Sequence, residues 1–267
     1  MSEKYTISVI MGIYNCADTL DESIQSLLAQ TYDKWKLIMC DDGSSDNTYN
    51  VAKKYADENP EKFILLKNEK NMGLNFTLNR CLESVDTEYV ARMDGDDISL
   101  PERFEKEIEV LENNPDISIV STGMIYFDAN GDWGKTTYII EAPEKRDIVR
   151  GTPFCHAPCM VRREAYNAVG GYSVSDRLLR VEDYHLWIKM YKNGYKGINI
   201  AEAYYKMRDD NNAYKRRKYK YRINEAYVTC LAVKELKLPF YMIVYAIKPL
   251  IVGLLPKPIY NMLHRKK

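Results

Sequence analysis

The sequence predicts an α/β fold: a mostly parallel sheet with helices on both faces, followed by a helical extension at the C-terminal end. Three observations carry that expectation. Over the first 120 residues, short β-branched runs alternate with segments whose apolar residues recur at helical spacing. Each apolar run closes on a polar cluster rich in Asp, Asn and Gly. From residue 213 onward the composition turns strongly basic. Strand and helix in alternation imply right-handed crossovers and parallel strands.

Residues 5–11 (YTISVIM) read as the first strand, bounded by a loop containing Gly12 and Asn15. Residues 18–30 place Leu20, Ile24, Leu27 and Leu28 at helical spacing. A second strand follows at 36–40, a helix at 47–59, a third strand at 63–67, a helix at 74–85 and a fourth strand at 89–93. Pro101 fits the opening turn of a helix running to about residue 114, because its missing N–H would be an orphan there anyway. Residues 117–127 and 133–140 flank Asp128-Ala129-Asn130-Gly131, a hairpin signal. Short helices at 163–169 and 182–193 stop at Gly170-Gly171 and Gly194. With no repeat and no low-complexity linker, residues 1–212 are expected as one domain and 213–267 as a basic, amphipathic helical tail.

The 267 residues are 46% apolar and 28% charged, which is globular composition and argues against disorder. The net charge is zero but unevenly placed. Residues 213–267 carry thirteen Lys or Arg against Glu225 and Glu235, a charge of +11, so the first 212 residues carry −11. Met1-Ser2-Glu3-Lys4 leads into the first strand with no apolar signal region, so the expected location is cytoplasmic and the six cysteines are expected as reduced thiols. Cys155-His156-Ala157-Pro158-Cys159 has no second ligand pair at zinc spacing.

Ligands on such sheets bind outside the carboxyl ends of the strands. Three polar clusters fall there: Tyr14-Asn15, Asp41-Asp42-Gly43-Ser44-Ser45-Asp46, and Asp94-Gly95-Asp96-Asp97. Carboxylates packed this closely repel one another unless a cation or solvent neutralises them. Their hard oxygens suit Mn²⁺ or Mg²⁺, ions that share their shells with phosphate oxygens. Each acidic cluster taken alone fits a solvated turn or a helix cap equally well.

Taken in order, the clusters resemble a known family. Val9-Ile10-Met11-x-x-Tyr14-Asn15, the Asp41–Asp46 run, Asn71-x-Gly73, Asn79 and Met93-Asp94-Gly95-Asp96-Asp97 look like family 2 glycosyltransferases over about residues 5–210. The resemblance implies the GT-A fold, with its Rossmann-like sheet, and a nucleotide-sugar donor, UDP-linked by expectation. It implies that Tyr14 stacks on the base, that Asp42 meets the base N–H, that Asn15 and Asn71 belong to the nucleotide site, that Asp94 touches the ribose and that Asp96 ligates the metal. Gly12 departs from the family, which often has proline there.

Inverting transfer also needs a base for the acceptor hydroxyl, a contribution of about 10²–10⁴-fold. Arg180-Val181-Glu182-Asp183-Tyr184-His185-Leu186-Trp187 resembles the family's Glu-Asp motif, which makes Asp183 the expected base, with Glu182 beside it. Acids in a first helical turn also serve as plain dipole caps. His156 falls where the family places acceptor-side groups, and Arg208 where relatives hold a cation near the diphosphate.

The tail pairs Lys215, Arg216, Arg217, Lys218, Lys220 and Arg222 with apolar residues from Phe240 to Leu255. That stretch is shorter than the ~20 uncharged residues of a membrane span, so the expected placement is peripheral, on the inner face of the membrane. A basic face for another protein chain or for RNA is the competing reading, and nucleic acid is not the expected partner. The family implies an oligosaccharide or lipid-linked acceptor used in bacterial surface polysaccharide synthesis. Two further readings compete. A sugar-1-phosphate nucleotidyltransferase needs a Gly-rich cationic loop that Met11-Gly-Ile-Tyr-Asn-Cys16 does not supply; a non-catalytic nucleotide-sugar-binding module has no use for both Asp96 and Asp183. No G-x-G-x-x-G opens the first helix, which disfavours a dinucleotide oxidoreductase.

Overall fold

A computed structural model describes residues 4–136, 139–209 and 218–255. Four strands, β1 (Ile7–Ile13), β2 (Trp35–Asp41), β3 (Phe63–Lys67) and β4 (Tyr89–Arg92), lie parallel. Between them run α1 (Ala17–Leu28), α2 (Thr48–Glu58) and α3 (Leu74–Glu83). The chain then adds β5 (Ile98–Ser99), α4 (Arg103–Asn113), the hairpin β6 (Ile119–Asp128) and β7 (Gly131–Lys135), and α5 (Lys145–Ile148). It continues through β8 (Met160–Arg162), α6 (Arg163–Val169), α7 (Glu182–Lys192) and β9 (Gly197–Arg208). Helix α8 (Tyr219–Glu235), a 3-10 stretch at Phe240–Ala246 and α9 (Ile247–Leu254) follow.

One sheet holds all nine described strands in the order β3-β2-β1-β4-β8-β6-β9-β5, with β7 on β6. The parallel expectation holds across β3-β2-β1-β4; beyond β4 the sheet is mixed, since β8 runs antiparallel to both β4 and β6. Side-chain alternation splits the core in two. Val9, Met11, Leu37 and Met39 pack with α1, α2 and α4, while Ile10, Ile38, Cys40 and Val90 pack with α3, α6, α7 and α8.

The hairpin forms with Asp128 opposite Gly131, and residues 137–138 of its expected second arm lie outside the described residues. Gly12, expected in a loop, pairs with Cys40 inside β1. Strand β9, twelve residues long, carries no clean period-two apolar alternation (GINIAEAYYKMR), so periodicity did not reveal it. Of the basic tail, residues 213–217 and 256–267 lie outside the described residues. Helix α8 does not separate apolar from polar residues cleanly: Val228, Ala232 and Val233 join the same apolar cluster as Trp187 of α7, while Tyr219, Ile223 and Tyr227 are exposed.

Candidate active site

The chain leaves β1 toward β2 and β3 on one side, then returns to lay β4 on the other. The crevice at the carboxyl ends of β1 and β4 is therefore the topological switch point, where open α/β sheets bind ligands. A cavity of about 380 Å³ opens there, lined by Gly12, Tyr14, Asn15, residues 16–19, Asp46, Asp94, Gly95, Asp96 and Arg208. Five of the expected site residues, Tyr14, Asn15, Asp94, Asp96 and Arg208, thus come together.

The loops that frame the cavity are tied to each other. Asn15 adopts φ 48°, a left-handed conformation that Asn tolerates. Its amide N–H donates to Ser44 Oγ (3.0 Å), and its side-chain oxygen accepts from the Ser45 N–H (2.9 Å). Asp46 accepts from the first amide of α1, at Ala17 (3.1 Å), and from the first of α2, at Thr48 (3.0 Å). One carboxylate therefore caps two helices. Burial opposes the charge of Asp46, but these hydrogen bonds outweigh it and hold the carboxyl below its ordinary range. Tyr14 projects from this frame, 48% exposed.

Asp42 and Asn71 stand apart from the cavity lining. The alternation of β2 continues past its end, so Asp42 points with Cys40 toward α3. There its carboxylate accepts from Asn68 Nδ2 (2.7 Å), Met72 N–H (2.8 Å) and Gly73 N–H (2.9 Å). The group expected to meet a base N–H is also engaged by the chain itself, as the organiser of the 68–73 loop. Gly43 (φ 72°) makes that possible, since a Cβ there would lie 2.7–2.9 Å from backbone atoms of Lys70 and Asn71. Asn71 is exposed on the same loop.

The three acids after β4 have separated roles. Asp94 accepts from Arg92 Nη2 at 2.6 Å and keeps its side chain 30% exposed. Asp97 is buried; it accepts from Tyr205 Oη (2.9 Å) and from the backbone N–H of Arg208 (2.8 Å), which seats the end of β9 against this loop. Burial and the neighbouring Asp94 and Asp96 push its carboxyl well above the usual range. Arg208 donates from Nε to the Asp96 carbonyl (2.9 Å), pairs with Glu22 and lies over the Phe127 ring at 4.5 Å. Gly95 lets this loop press on the first, since a Cβ would sit 2.9 Å from Cys16 Sγ. Among the described residues no three His, Cys, Asp or Glu side chains gather to hold a metal. Asp96 and Asp94 on the cavity wall still fit Mn²⁺ or Mg²⁺, because these ions take one or two carboxylates and complete their shells with phosphate oxygens and water.

Asp183, Glu182 and His156 form a second group, joined to the first through Arg92. Asp183 lies in the first turn of α7 and accepts from Thr152 Oγ1 at 3.4 Å. Burial raises its pKa above the ordinary carboxylate value, opposed by the Tyr184 amide and by the positive charge of Arg92. Glu182 is raised in the same way, by burial and then by Asp183. His156 shares a hydrogen bond with Tyr172 Oη (2.8 Å) and meets the Trp187 ring edge-on. Burial, with Arg92 adding to it, drives the His156 pKa well down, so this imidazole is neutral at physiological pH.

Arg92 is the residue that pattern reading missed. It is 4% exposed, held ionised by Asp94 against the opposition of burial, and its Nε has no hydrogen-bond partner among the described residues. The signal was present: an arginine inside the otherwise apolar strand Tyr89-Val90-Ala91-Arg92 is a buried charge that needs a reason. Asn68 and Tyr205 were missed as well, since nothing in their spacing marks them, while the capping role of Asp46 was one of the two readings its cluster allowed.

The fold and this site define a nucleotide-sugar-type transferase, and comparison with known proteins places it. The model of glycosyl transferase family 2 matches residues 8–170, and the chain belongs to that family; it is a glycosyltransferase with the GT-A fold. It is 42% identical over 267 residues to the putative glycosyltransferase EpsE of Bacillus subtilis, covering 100% of this chain and 96% of that one. It is 29% identical to the Escherichia coli UDP-Glc:alpha-D-GlcNAc-diphosphoundecaprenol beta-1,3-glucosyltransferase WfgD, over 82% of this chain and 83% of that one. A crystal structure of S. aureus TarS superposes with TM-score 0.70 at 17% identity, over 93% of this chain and 43% of that one. TarS 1-349 in complex with UDP-GlcNAc gives 0.67 at 19%, over 93% and 71%. The Pyrobaculum calidifontis mannosyltransferase PcManGT in complex with GDP-Man and Mn²⁺ gives 0.63 at 17%, over 98% and 79%.

Proposed function

We propose that the protein is an inverting, metal-dependent transferase that moves a sugar from a UDP-linked donor to a lipid-linked glycan acceptor in surface polysaccharide synthesis, working in the cytoplasm at the inner face of the membrane. The observation that carries this reading is the cavity at the switch point, which brings Tyr14, Asn15, Asp94, Asp96 and Arg208 together, with the buried Arg92 paired to Asp94 behind it. The relatives' names support the acceptor class, and the GDP-Man and UDP-GlcNAc complexes of similar folds support a nucleotide-sugar donor.

In this reading Tyr14 stacks on the uracil while Asn15 and the Asp42-held loop, with Asn71 on it, shape the base-binding wall. Asp94 binds the ribose, and Asp96 holds Mn²⁺ or Mg²⁺, whose chemistry is to neutralise charge gathering on the departing diphosphate. Arg208 and the N-terminus of α1 face the same charge. Asp183 takes the proton of the acceptor hydroxyl as that oxygen attacks the anomeric carbon. The bond from that carbon to the diphosphate oxygen breaks on the opposite face, so the configuration inverts. Glu182 and His156 lie on the acceptor side, where a neutral His156 offers hydrogen bonds without adding charge.

The test is turnover of the purified chain with a panel of UDP-sugars, Mn²⁺ and a short prenyl-diphosphate GlcNAc acceptor, read as UDP release and as the anomeric configuration of the product. One UDP-sugar giving an inverted product is expected. A retained configuration, or full turnover in excess chelator, overturns the reading.

A further inference from the structure

We propose that the arm after α8 is a bilayer-docking face, in which Phe240, Tyr241, Val244, Ile247, Ile251 and Leu254 enter the interfacial layer of an anionic phospholipid membrane. The proposal deepens the membrane part of the reading above, and it stands on a different region of the molecule from the donor chemistry.

These six side chains are 51–79% exposed within fifteen residues. They recur at steps of one, three and four, the spacing of a single helical side. The opposite side is anchored, with Met242, Ala246 and Pro249 buried. Scattered surface apolar residues need no explanation, but a continuous stripe marks an interaction face. On α8, Tyr219, Ile223 and Tyr227 are also exposed, at steps of four. Gly253 of α9 packs against Arg222 and Tyr219, so the two helices lie antiparallel and the start of α8 sits beside the end of α9. The exposed apolar residues of both helices thereby meet at one edge.

Charge selects the occupant. The described arm, residues 218–255, holds six cations and two acids. Glu225 is engaged by Arg222 at 2.6 Å and Glu235 by Lys192 at 2.6 Å. What faces outward beside the apolar stripe is therefore positive: Lys218 and Lys220 at the start of α8, and Lys248 within the stripe itself. Apolar side chains bordered by lysines, whose stems bury while their ammonium groups reach phosphates, match the boundary of an anionic bilayer. No described helix is long and apolar enough to cross one. The arm lies on the surface rather than spanning it.

The placement has a consequence for the enzyme. Helix α8 joins the core through Val228, Ala232 and Val233, bonds α7 by Tyr184 Oη to Thr229 Oγ1 (3.4 Å), and holds the segment before α7 by Asn224 Nδ2 to the Asp176 and Leu179 carbonyls (3.2 and 3.1 Å). The arm that meets lipid is thus packed against the helix that carries Asp183. Docking fixes the height of the proposed base above the surface from which a lipid-carried acceptor would rise.

The test is co-sedimentation of the full chain with phosphatidylcholine vesicles, with and without about a third phosphatidylglycerol. Wild type is expected to bind the anionic vesicles and to weaken as salt rises. A Phe240→Ser/Tyr241→Ser/Ile251→Ser variant is expected to lose about a hundredfold in partitioning, and Lys218→Glu/Lys220→Glu/Lys248→Glu to lose the anionic preference. Because all six positions are exposed, both variants should melt with wild type and release UDP from a donor at the wild-type rate. That rate reads the catalytic proposal separately, so its failure and this one are distinguishable. Vesicle binding unchanged in the serine variant overturns the proposal. So does a wild-type dimer in the absence of vesicles that the serine variant abolishes, which would assign the stripe to a second copy, and so does wild type that binds no vesicles at all.

Discussion

The two sides of the cleft are held together in opposite ways. On the nucleotide side, loops from three strand ends hydrogen-bond one another: Asn15 to Ser44 and Ser45, Asp46 to two helix starts, Asp42 to three donors of the 68–73 loop. On the α7 side the polar groups gather around one buried charge and are less fully matched. Among the described residues, Arg92 Nε of β4 and Trp187 Nε1 of α7 are buried without a hydrogen-bond partner. A self-satisfied wall is preorganised for a constant ligand such as a nucleoside diphosphate. A wall of raised-pKa acids and spare donors draws its balance from electrostatics, which is how reactive groups are tuned.

The largest break in that comparison is Asp183→Asn, expected to cut kcat by on the order of 10³-fold while UDP affinity by calorimetry stays within about twofold. Its stability moves the other way. A carboxyl whose folded pKa is raised contributes most below its unfolded pKa and loses that contribution as pH rises through the folded value. At neutral pH the ionised Asp183 is therefore a burden, and the Asn variant should melt no lower than wild type. Substantial turnover in this variant would remove Asp183 from the base role. Asp96→Ala comes next, with a loss of at least about a hundredfold in kcat/KM, since a bound cation is worth several kcal/mol of charge stabilisation. Chelator should reproduce that loss in wild type, and added Mn²⁺ should reverse it only in wild type.

Within the nucleotide side, two residues separate scaffold from contact. Asp42→Ala leaves three donors of the 68–73 loop without their acceptor, at a cost of about 1–3 kcal/mol, or several degrees in Tm. Tyr14→Ala removes a ring that is 48% exposed. It should leave Tm unchanged and weaken UDP binding by about tenfold, the scale of one base stacked on an aromatic ring. Equal effects on Tm would erase the distinction.

The same contrast explains what was legible in the sequence. Strands β1 to β4 and their helices follow from apolar period, because each buries one face against a regular neighbour. The acids of the switch-point crevice follow from their position at strand ends. The role of Asp42 did not follow, because its partners, Asn68, Met72 and Gly73, lie 26 to 31 residues away and two of them are backbone groups. Strand β9 and its Tyr205 were hidden for a similar reason, and Arg208 was marked only by the family resemblance. They pair with β6 across some eighty residues through a register broken at Gly123, and no local period records that. Arg92 lay in plain view as a charge in a buried strand, yet only the fold shows that it pairs with Asp94 at the mouth of the crevice.

Arg92 gives the smallest and most specific prediction. As the base, Asp183 must be ionised, so kcat falls as pH drops through its folded pKa, which lies above the ordinary carboxylate value of about 4. The charge of Arg92 lowers that pKa against the effect of burial. Arg92→Gln removes the charge and should move the acid limb of the kcat profile to higher pH, with a modest loss at pH 8, where the base is still ionised. Arg92→Lys keeps the charge and should keep the limb near its wild-type position, even though the fork that reaches Asp94 is gone. A residue that merely props up β4 would lower Tm in both variants and leave both limbs in place. Movement of the limb in the Gln variant alone distinguishes a cation that tunes the base from one that only fills the core.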